Sequence, residues 1–246
     1  MTTMRLNDRI IVITGGTSGI GQCLARTLRN KNNEVIVLGR AGEKLDRMAD
    51  EGFATVPCDL GQAGSIEDAA HQVAQRWPRV DVLFNNAGVQ YNYDLTSEVL
   101  PIGRIHREID IDLSGQVLFT QLMLPLLARS DRAVLVNTTS GLGAYPKTDG
   151  LVYSAAKAGM RSFTVGLRNA LRGTSIRVLE LMPPVTDTGM TAARDEQKMD
   201  PQAFVEIALP QLERERKIAT TRQLRLFLLI ARVAPGLARW ILEGKH

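Results

Sequence analysis

The sequence predicts an α/β fold: a doubly wound parallel sheet flanked by helices, in a single domain with a helical extension at its carboxyl end. Three observations carry this expectation. Short β-branched runs recur, longer helical patterns separate them, and no Pro/Ser-rich linker or internal repeat divides the 246 residues. The runs 10–14, 34–38, 54–57, 80–84, 133–137 and 175–181 are continuous rather than alternating, as strands are when both faces of a parallel sheet are covered. Helical patterns fall near 19–31, 42–50, 63–76, 104–129 and 153–172. Such alternation calls for right-handed crossovers that lay helices on both faces. Residues 217–221 offer at best a short edge strand.

Composition narrows the class. Hydrophobic residues make up 44% of the chain and charged residues 23%, which suffices for a sizeable core and excludes collagen-like, disulfide-scaffold and wholly disordered chains. Two cysteines, Cys23 and Cys58, are too few for a disulfide framework. Each is expected to be a small core hydrophobe in a reducing, cytoplasmic setting. Apolar runs reach about six residues, far short of the roughly 18 a spanning helix needs, and the run 10–13 is too brief for a signal peptide. The formal charge of +4 is unevenly placed: residues 1–210 carry 22 basic against 23 acidic side chains, and residues 211–246 carry 8 against 3. A near-neutral body argues against nucleic acid as a partner.

The segment Thr14-Gly15-Gly16-Thr17-Ser18-Gly19-Ile20-Gly21 follows the first strand and opens the first helix. Gly15 permits the tight turn, Gly19 lets backbone approach a pyrophosphate, and Gly21 allows close helix–strand packing. The helix amino terminus then presents free N–H groups and a positive dipole end. A strand before and a helix after make this a Rossmann-type dinucleotide turn rather than an ordinary glycine loop. The second strand ends at Leu38-Gly39-Arg40. NAD sites put a carboxylate there for the ribose 2′-OH, whereas the Arg40 guanidinium suits a 2′-phosphate. NADP is therefore favoured, and Glu43 nearby keeps NAD open.

Four further motifs follow in order: Asp59 after the third strand, Asn85-Asn86-Ala87-Gly88, Ser140, and Tyr153-Ser154-Ala155-Ala156-Lys157. With the glycine turn they make residues 8–190 resemble the short-chain dehydrogenase/reductase superfamily. Asn137-Thr138-Thr139-Ser140-Gly141-Leu142, Pro183-Pro184 and Ala234-Pro235-Gly236-Leu237-Ala238 are similar to its bacterial DltE-like branch. The resemblance implies an NAD(P)-dependent oxidoreductase that interconverts a small-molecule carbonyl and a secondary alcohol by hydride transfer, with no metal. It groups Thr17, Ser18 and Ile20 with the glycines as cofactor-binding residues. It sets Cys58, Asp59 and Leu60 against the adenine, and Asn86, Ala87 and Gly88 along the cofactor groove. Val185, Thr186 and Thr188 would meet the carboxamide. Tyr153 would be the general acid/base, Ser140 would hold the reacting oxygen, and Lys157 would also bind the nicotinamide ribose. The spacing is intelligible physically: positions four apart share a helix face, and a neighbouring ammonium favours the phenolate of a group whose ordinary pKa is about 10. Family members commonly form homodimers or homotetramers through two long helices, here 104–129 and 153–172, where Gly115, Ala155, Ala156 and Ala158 suit close packing.

Two departures bear on the chemistry. The family's usual Asn in the long helix is replaced by Asp112. Its carboxylate can take part in the proton relay but, when ionised, cannot donate as an amide does, and its charge would raise the Tyr153 pKa. The usual Pro-Gly after the sixth strand is Pro183-Pro184, which stiffens the chain near the nicotinamide. These two features keep open a rival reading, a dinucleotide-binding redox sensor or scaffold without turnover, against which Ser140, Tyr153 and Lys157 stand intact. Tyr91, Tyr93 and the long loop 183–200 are expected to shape the substrate pocket.

Residues 211–246 read as a basic amphipathic extension of the dinucleotide-binding and catalytic domain, 1–210. Arg225, Arg232 and Arg239 recur every seven residues beside the apolar run 226–230, and Pro235-Gly236 breaks the helix. Packing near the substrate mouth, a subunit contact and a peripheral membrane-surface helix all remain open, the first two favoured.

Overall fold

The computed structural model describes residues 4–94, 96 and 99–243. Among them, seven parallel strands form one sheet: β1 (Ile10–Thr14), β2 (Glu34–Gly39), β3 (Ala54–Pro57), β4 (Val82–Asn85), β5 (Ala133–Thr138), β6 (Ile176–Leu181) and β7 (Ile218–Ala219). Their order is β3-β2-β1-β4-β5-β6-β7. The order reverses between β1 and β4, and in such sheets the crevice beyond the strands' carboxyl ends at that point receives ligands. Ile13 pairs with Val37 on one side and Phe84 on the other.

Strand residues that alternate in direction feed two cores. Ile11 and Ile13 pack with Leu24 and Leu28 of α1 (Gly19–Arg29), Leu45 and Met48 of α2 (Glu43–Asp50), and Phe204 and Leu209 of α7 (Pro201–Glu213). Val12 and Leu83 pack the opposite face with Ile66 of α3 (Ala63–Arg76) and Phe119 and Met123 of α5 (Gly115–Leu127). The remaining helices are α4 (Ile102–Ile109), α6 (Leu151–Ala170), α8 (Arg222–Val233) and α9 (Pro235–Glu243).

The sequence expectations hold for the sheet and need correction in three places. The expected helix 104–129 is divided: a π-helical turn, Asp110–Ser114, lies between α4 and α5. A Cβ on Gly115 would run into the Leu60 carbonyl, so the chain there approaches the sheet as only glycine can. Wide turns of this type often occur at functional sites, and this one carries Asp112. The strand expected at 80–84 runs from Val82 to Asn85, with the Asp81 carboxylate just before it accepting from the Ile10 N–H at 2.9 Å and the Ser130 hydroxyl at 2.6 Å. Helix α7 was not anticipated, although its start is marked: the Asp200 side chain accepts from Ala203 N at 2.8 Å, and Pro201 follows it. These are cap and first-turn signals, obscured by Pro210 inside the helix.

A buried polar network fixes the strand ends that carry the site. Asn85 donates to Asn137 Oδ1 at 2.9 Å and Thr120 Oγ1 at 2.7 Å, and Asn137 donates to Thr164 Oγ1 at 2.9 Å. This ties β4 and β5 to α5 and α6. Buried groups so paired cost little, and losing one partner would leave the others unsatisfied.

Candidate active site

A cavity of about 1010 Å³ runs along the carboxyl edge of the sheet. At its centre the glycine turn approaches β4. Gly15 and Gly19 have φ of 65° and 52°, a region that favours glycine, and a Cβ on Gly15 would stand 2.7 Å from the Ala87 Cα. Gly21 lies beneath the turn rather than on the cavity: a Cβ there would stand 2.6 Å from Asn86 Nδ2. The Ser18 side chain makes no cap hydrogen bond, so the first N–H groups of α1 are left without a side-chain partner. Thr17, Ser18, Gly19 and Ile20 all line the cavity here.

Thr14 ties the turn to the next strand. Its hydroxyl accepts from Asn86 N at 2.9 Å and Ala87 N at 3.1 Å and donates to the Phe84 carbonyl at 3.3 Å. Gln116 of α5 donates to the Ala87 carbonyl at 2.6 Å. Asn86, Ala87 and Gly88 thereby form one wall of the groove.

At one end the cavity meets Gly39, Arg40, Lys44, Cys58, Asp59 and Leu60. Burial, then the Asp59 charge, pushes the Cys58 thiol up to about 12, so it stays protonated at neutral pH. Asp59 accepts from Gly61 N at 2.9 Å and pairs with Arg107 at 3.2 Å. Burial opposes its ionisation, but these partners hold its carboxyl below the usual range. Lys44 and Arg107, neither anticipated from sequence, come from α2 and α4 and join this end only in the folded chain.

At the other end stand Ser140, Tyr153 and Lys157. Ser140 follows β5 and caps a short 3-10 turn, accepting from Leu142 N at 3.2 Å. Behind it, Thr139 donates to Glu180 at 2.6 Å and Arg161 pairs with the same carboxylate at 3.0 Å. Tyr153 and Lys157 lie one turn apart on α6, the Lys157 Nζ 5.5 Å from the Tyr153 ring centre. The Lys157 ammonium donates to the Thr138 carbonyl at 3.3 Å and pairs with Asp112 Oδ1 at 2.9 Å.

Asp112 is wholly buried and does not reach the cavity. Its other oxygen accepts from Val89 N at 3.2 Å, so it sits behind Lys157 and the cavity-lining backbone of Gly88 and Val89. Burial raises its pKa against the Lys157 attraction. Burial also opposes charging of Lys157, but Asp112 and Tyr153 outweigh it and raise the ammonium's pKa. Tyr153 is raised by burial, lowered by Lys157, raised again by Asp112, and lowered by a side-chain hydrogen bond with Ser140. One turn before Asp112, Glu108 is also buried and accepts from Tyr91 N at 2.9 Å. Burial, reinforced by the Asp112 charge, raises its carboxyl to about 7.

The segment 183–200 folds over the glycine turn and is internally tied. Thr191 donates to the Thr186 carbonyl at 2.6 Å, Met199 N to the Val185 carbonyl at 2.9 Å, and a Cβ on Gly19 would meet the Thr188 methyl at 2.9 Å. Val185, Thr186 and Thr188 line the cavity with Met190 and Arg194. Tyr91 lines it as expected. Tyr93 does not: it is buried, its hydroxyl oxygen accepting from Val152 N at 2.7 Å, which anchors the start of α6. The tail packs against this end. Leu224, Phe227 and Ile241 form part of the wall, and a Cβ on Gly141 would stand 2.8 Å from Leu224 Cδ1.

The family model described as short chain dehydrogenase matches residues 9–199. The chain belongs to the short-chain dehydrogenase family, an oxidoreductase family. It is 35% identical over 200 residues to the uncharacterized oxidoreductase DltE of Bacillus subtilis, spanning 79% of this chain and 78% of that one. It is 32% identical over 177 residues to the NADP-dependent 3-hydroxy acid dehydrogenase YdfG of Salmonella typhi, 71% of each chain. A short chain dehydrogenase from Burkholderia cenocepacia, solved in complex with NADP, has the same fold, with a TM-score of 0.86 at 20% identity over 98% of this chain and 99% of that one. No helix among the described residues is long and apolar enough to cross a membrane.

Proposed function

We propose that this oxidoreductase prefers NADP and interconverts a carbonyl with a secondary alcohol, Tyr153 serving as general acid/base. The convergence of Ser140, Tyr153 and Lys157 on the cavity that the glycine turn opens into carries the reading. The residues present fit a dinucleotide: Gly15, Thr17, Ser18, Gly19 and Ile20 line the cavity at the start of α1, whose first N–H groups are not taken by a side-chain cap. Arg40 and Lys44 at the far end, with Gly39 where a carboxylate would select NAD, support a 2′-phosphate. The Salmonella relative's NADP dependence agrees. When bound, the nicotinamide supplies the donor or acceptor of hydride.

The chain's own residues do the rest. Ser140 donates a hydrogen bond to the carbonyl oxygen and holds it for transfer. Tyr153 delivers a proton to that oxygen in reduction and removes it from the alcohol in oxidation. Lys157 favours the phenolate electrostatically. Two of its three N–H donors are used by Asp112 and Thr138, and the third is free to meet a ribose hydroxyl. Asp112 positions Lys157 and raises the tyrosine pKa, so the relay is tuned rather than absent. Val185, Thr186 and Thr188 close over the carboxamide end.

Association as a homodimer or homotetramer, through the helices α4, α5 and α6, belongs to the same reading. A cytoplasmic setting is supported by two free cysteines. The test is a panel of aldehydes, ketones and oxo acids with NADPH and NADH, and of alcohols with NADP and NAD. Turnover faster with the phosphorylated cofactor is expected. Tight NADPH binding with no turnover of any panel member would overturn the catalytic reading and restore the sensor.

A further inference from the structure

We propose that Arg194 is a substrate-recognition residue that binds a carboxylate, so that the substrate is a hydroxy or oxo acid whose hydrocarbon part lies against Leu142, Leu224, Phe227 and Ile241. This rests on the carbonyl–alcohol reading of the same cavity and deepens it. Arg194 sits on the segment that folds over the cavity, and its side chain is only 12% exposed. It lines the cavity together with Ser140 and Tyr153. Its positive charge is felt at the Tyr153 hydroxyl, where it favours phenolate.

Its protein partners leave it under-satisfied. The Nη2 donates to the neutral Asn92 Oδ1 at 3.2 Å, and Nη1 reaches Glu196 only at 3.5 Å. Five N–H donors in a planar fork suit a bidentate carboxylate. Asp195 and Glu196 also line the cavity, and Glu196 is the acid paired with Nη1, but both are exposed and a long, hydrated ion pair of this kind is weak enough for a substrate carboxylate to displace. Of the other cations near this end, Lys157 pairs with Asp112 at 2.9 Å and Lys147 with Asp149 at 3.3 Å. The same cavity has an apolar lining. Leu224 packs on Gly141 beside Ser140, and Phe227 lies one turn further along α8. A cation and hydrocarbon in one pocket suit the two parts of a carboxylic acid.

In oxidation, hydride leaves the carbinol carbon for NADP and the hydroxyl proton passes to Tyr153. A C=O bond forms while the carboxylate stays on Arg194 unchanged. The probes are the 2-, 3- and 4-hydroxyhexanoates and their methyl esters, with NADP as oxidant and 2-hexanol as the uncharged reference. At least one acid should exceed its ester in kcat/KM by on the order of 10- to 100-fold, the range of a charge-assisted hydrogen bond. Arg194→Gln should remove that preference by raising KM for the acid far more than for its ester, with an unchanged NADPH dissociation constant showing that the variant folds. Arg194→Lys should restore part of it. Calorimetry of the preferred acid on the enzyme–NADPH complex should show the same loss of affinity without turnover. Equal kcat/KM for acid and ester, or an acid preference unchanged in Arg194→Gln, overturns the proposal and leaves the oxidoreductase reading standing. Failure of acids, esters and 2-hexanol alike, with NADPH bound, overturns both.

Discussion

The centre of the cavity and its Ser140 end are built from different materials. Around the glycine turn backbone dominates, with Gly15 against Ala87 and the bare amino terminus of α1, and the Thr14 hydroxyl stitches β1 to β4. The substrate end is made by side chains from segments far apart in sequence, among them Tyr91, Leu142, Arg194, Phe227 and Ile241. A backbone site tolerates almost no change, because a Cβ has nowhere to go. A side-chain site can exchange residues while the strands beneath stay put.

Substitutions can break this contrast in order of expected effect. Gly15→Ala forces a Cβ into Ala87 at a φ of 65°. Strain of that kind should weaken NADPH binding roughly 10- to 100-fold, read by fluorescence titration. Unchanged affinity would mean that the backbone cradle is not what holds the cofactor.

Asp112→Asn acts between these two regions. Removing its charge takes away one of the influences that raise the Tyr153 pKa, so the limb of the alcohol-oxidation pH profile that reports phenolate should move to lower pH. A profile that overlays the wild type would reduce Asp112 to packing.

The smallest effect concerns Glu108. Its carboxyl is raised from 4.5 to about 7 in the folded state, so the native protein holds a proton the unfolded chain has released. Stability from this group is present below about pH 4.5 and lost as pH rises through about 7. Asp112 and Lys157 face the same carboxyl from the π turn and α6. Glu108→Gln should flatten the fall in stability across that window, measured by urea melts at stepped pH. An unaltered slope would show that Glu108 does not titrate there.

The same contrast explains what could be read in advance. The strands were legible as continuous β-branched runs; the glycine turn, Asn86-Ala87-Gly88 and Ser140 were legible because each follows a strand the pattern marks, and Tyr153 and Lys157 by their four-residue spacing on α6. Asp112 was visible as a departure at a known place, but its withdrawal behind Lys157 depends on the π turn. No local periodicity announces that turn, which exists to bring α5 past Leu60. Tyr93 and Tyr91 look alike in sequence, two residues apart, yet one anchors α6 and the other lines the cavity. Lys44, Arg107, Glu108 and Arg194 carried no motif at all. Their roles come from tertiary proximity, which single-residue spacing does not encode. In the tail, the amphipathic pattern was plain and its placement was not: Leu224 and Phe227 face the cavity, while Leu226 and Leu229 beside them are exposed.

The proposed proton chemistry of Tyr153 is the step on which the function turns. It is tested most directly by Tyr153→Phe, with turnover and NADPH affinity measured on the same preparation. The prediction is a loss of turnover on the order of 10²- to 10⁴-fold, the usual worth of a general acid/base, with the NADPH dissociation constant unchanged. Turnover at the wild-type rate in that variant would contradict the account.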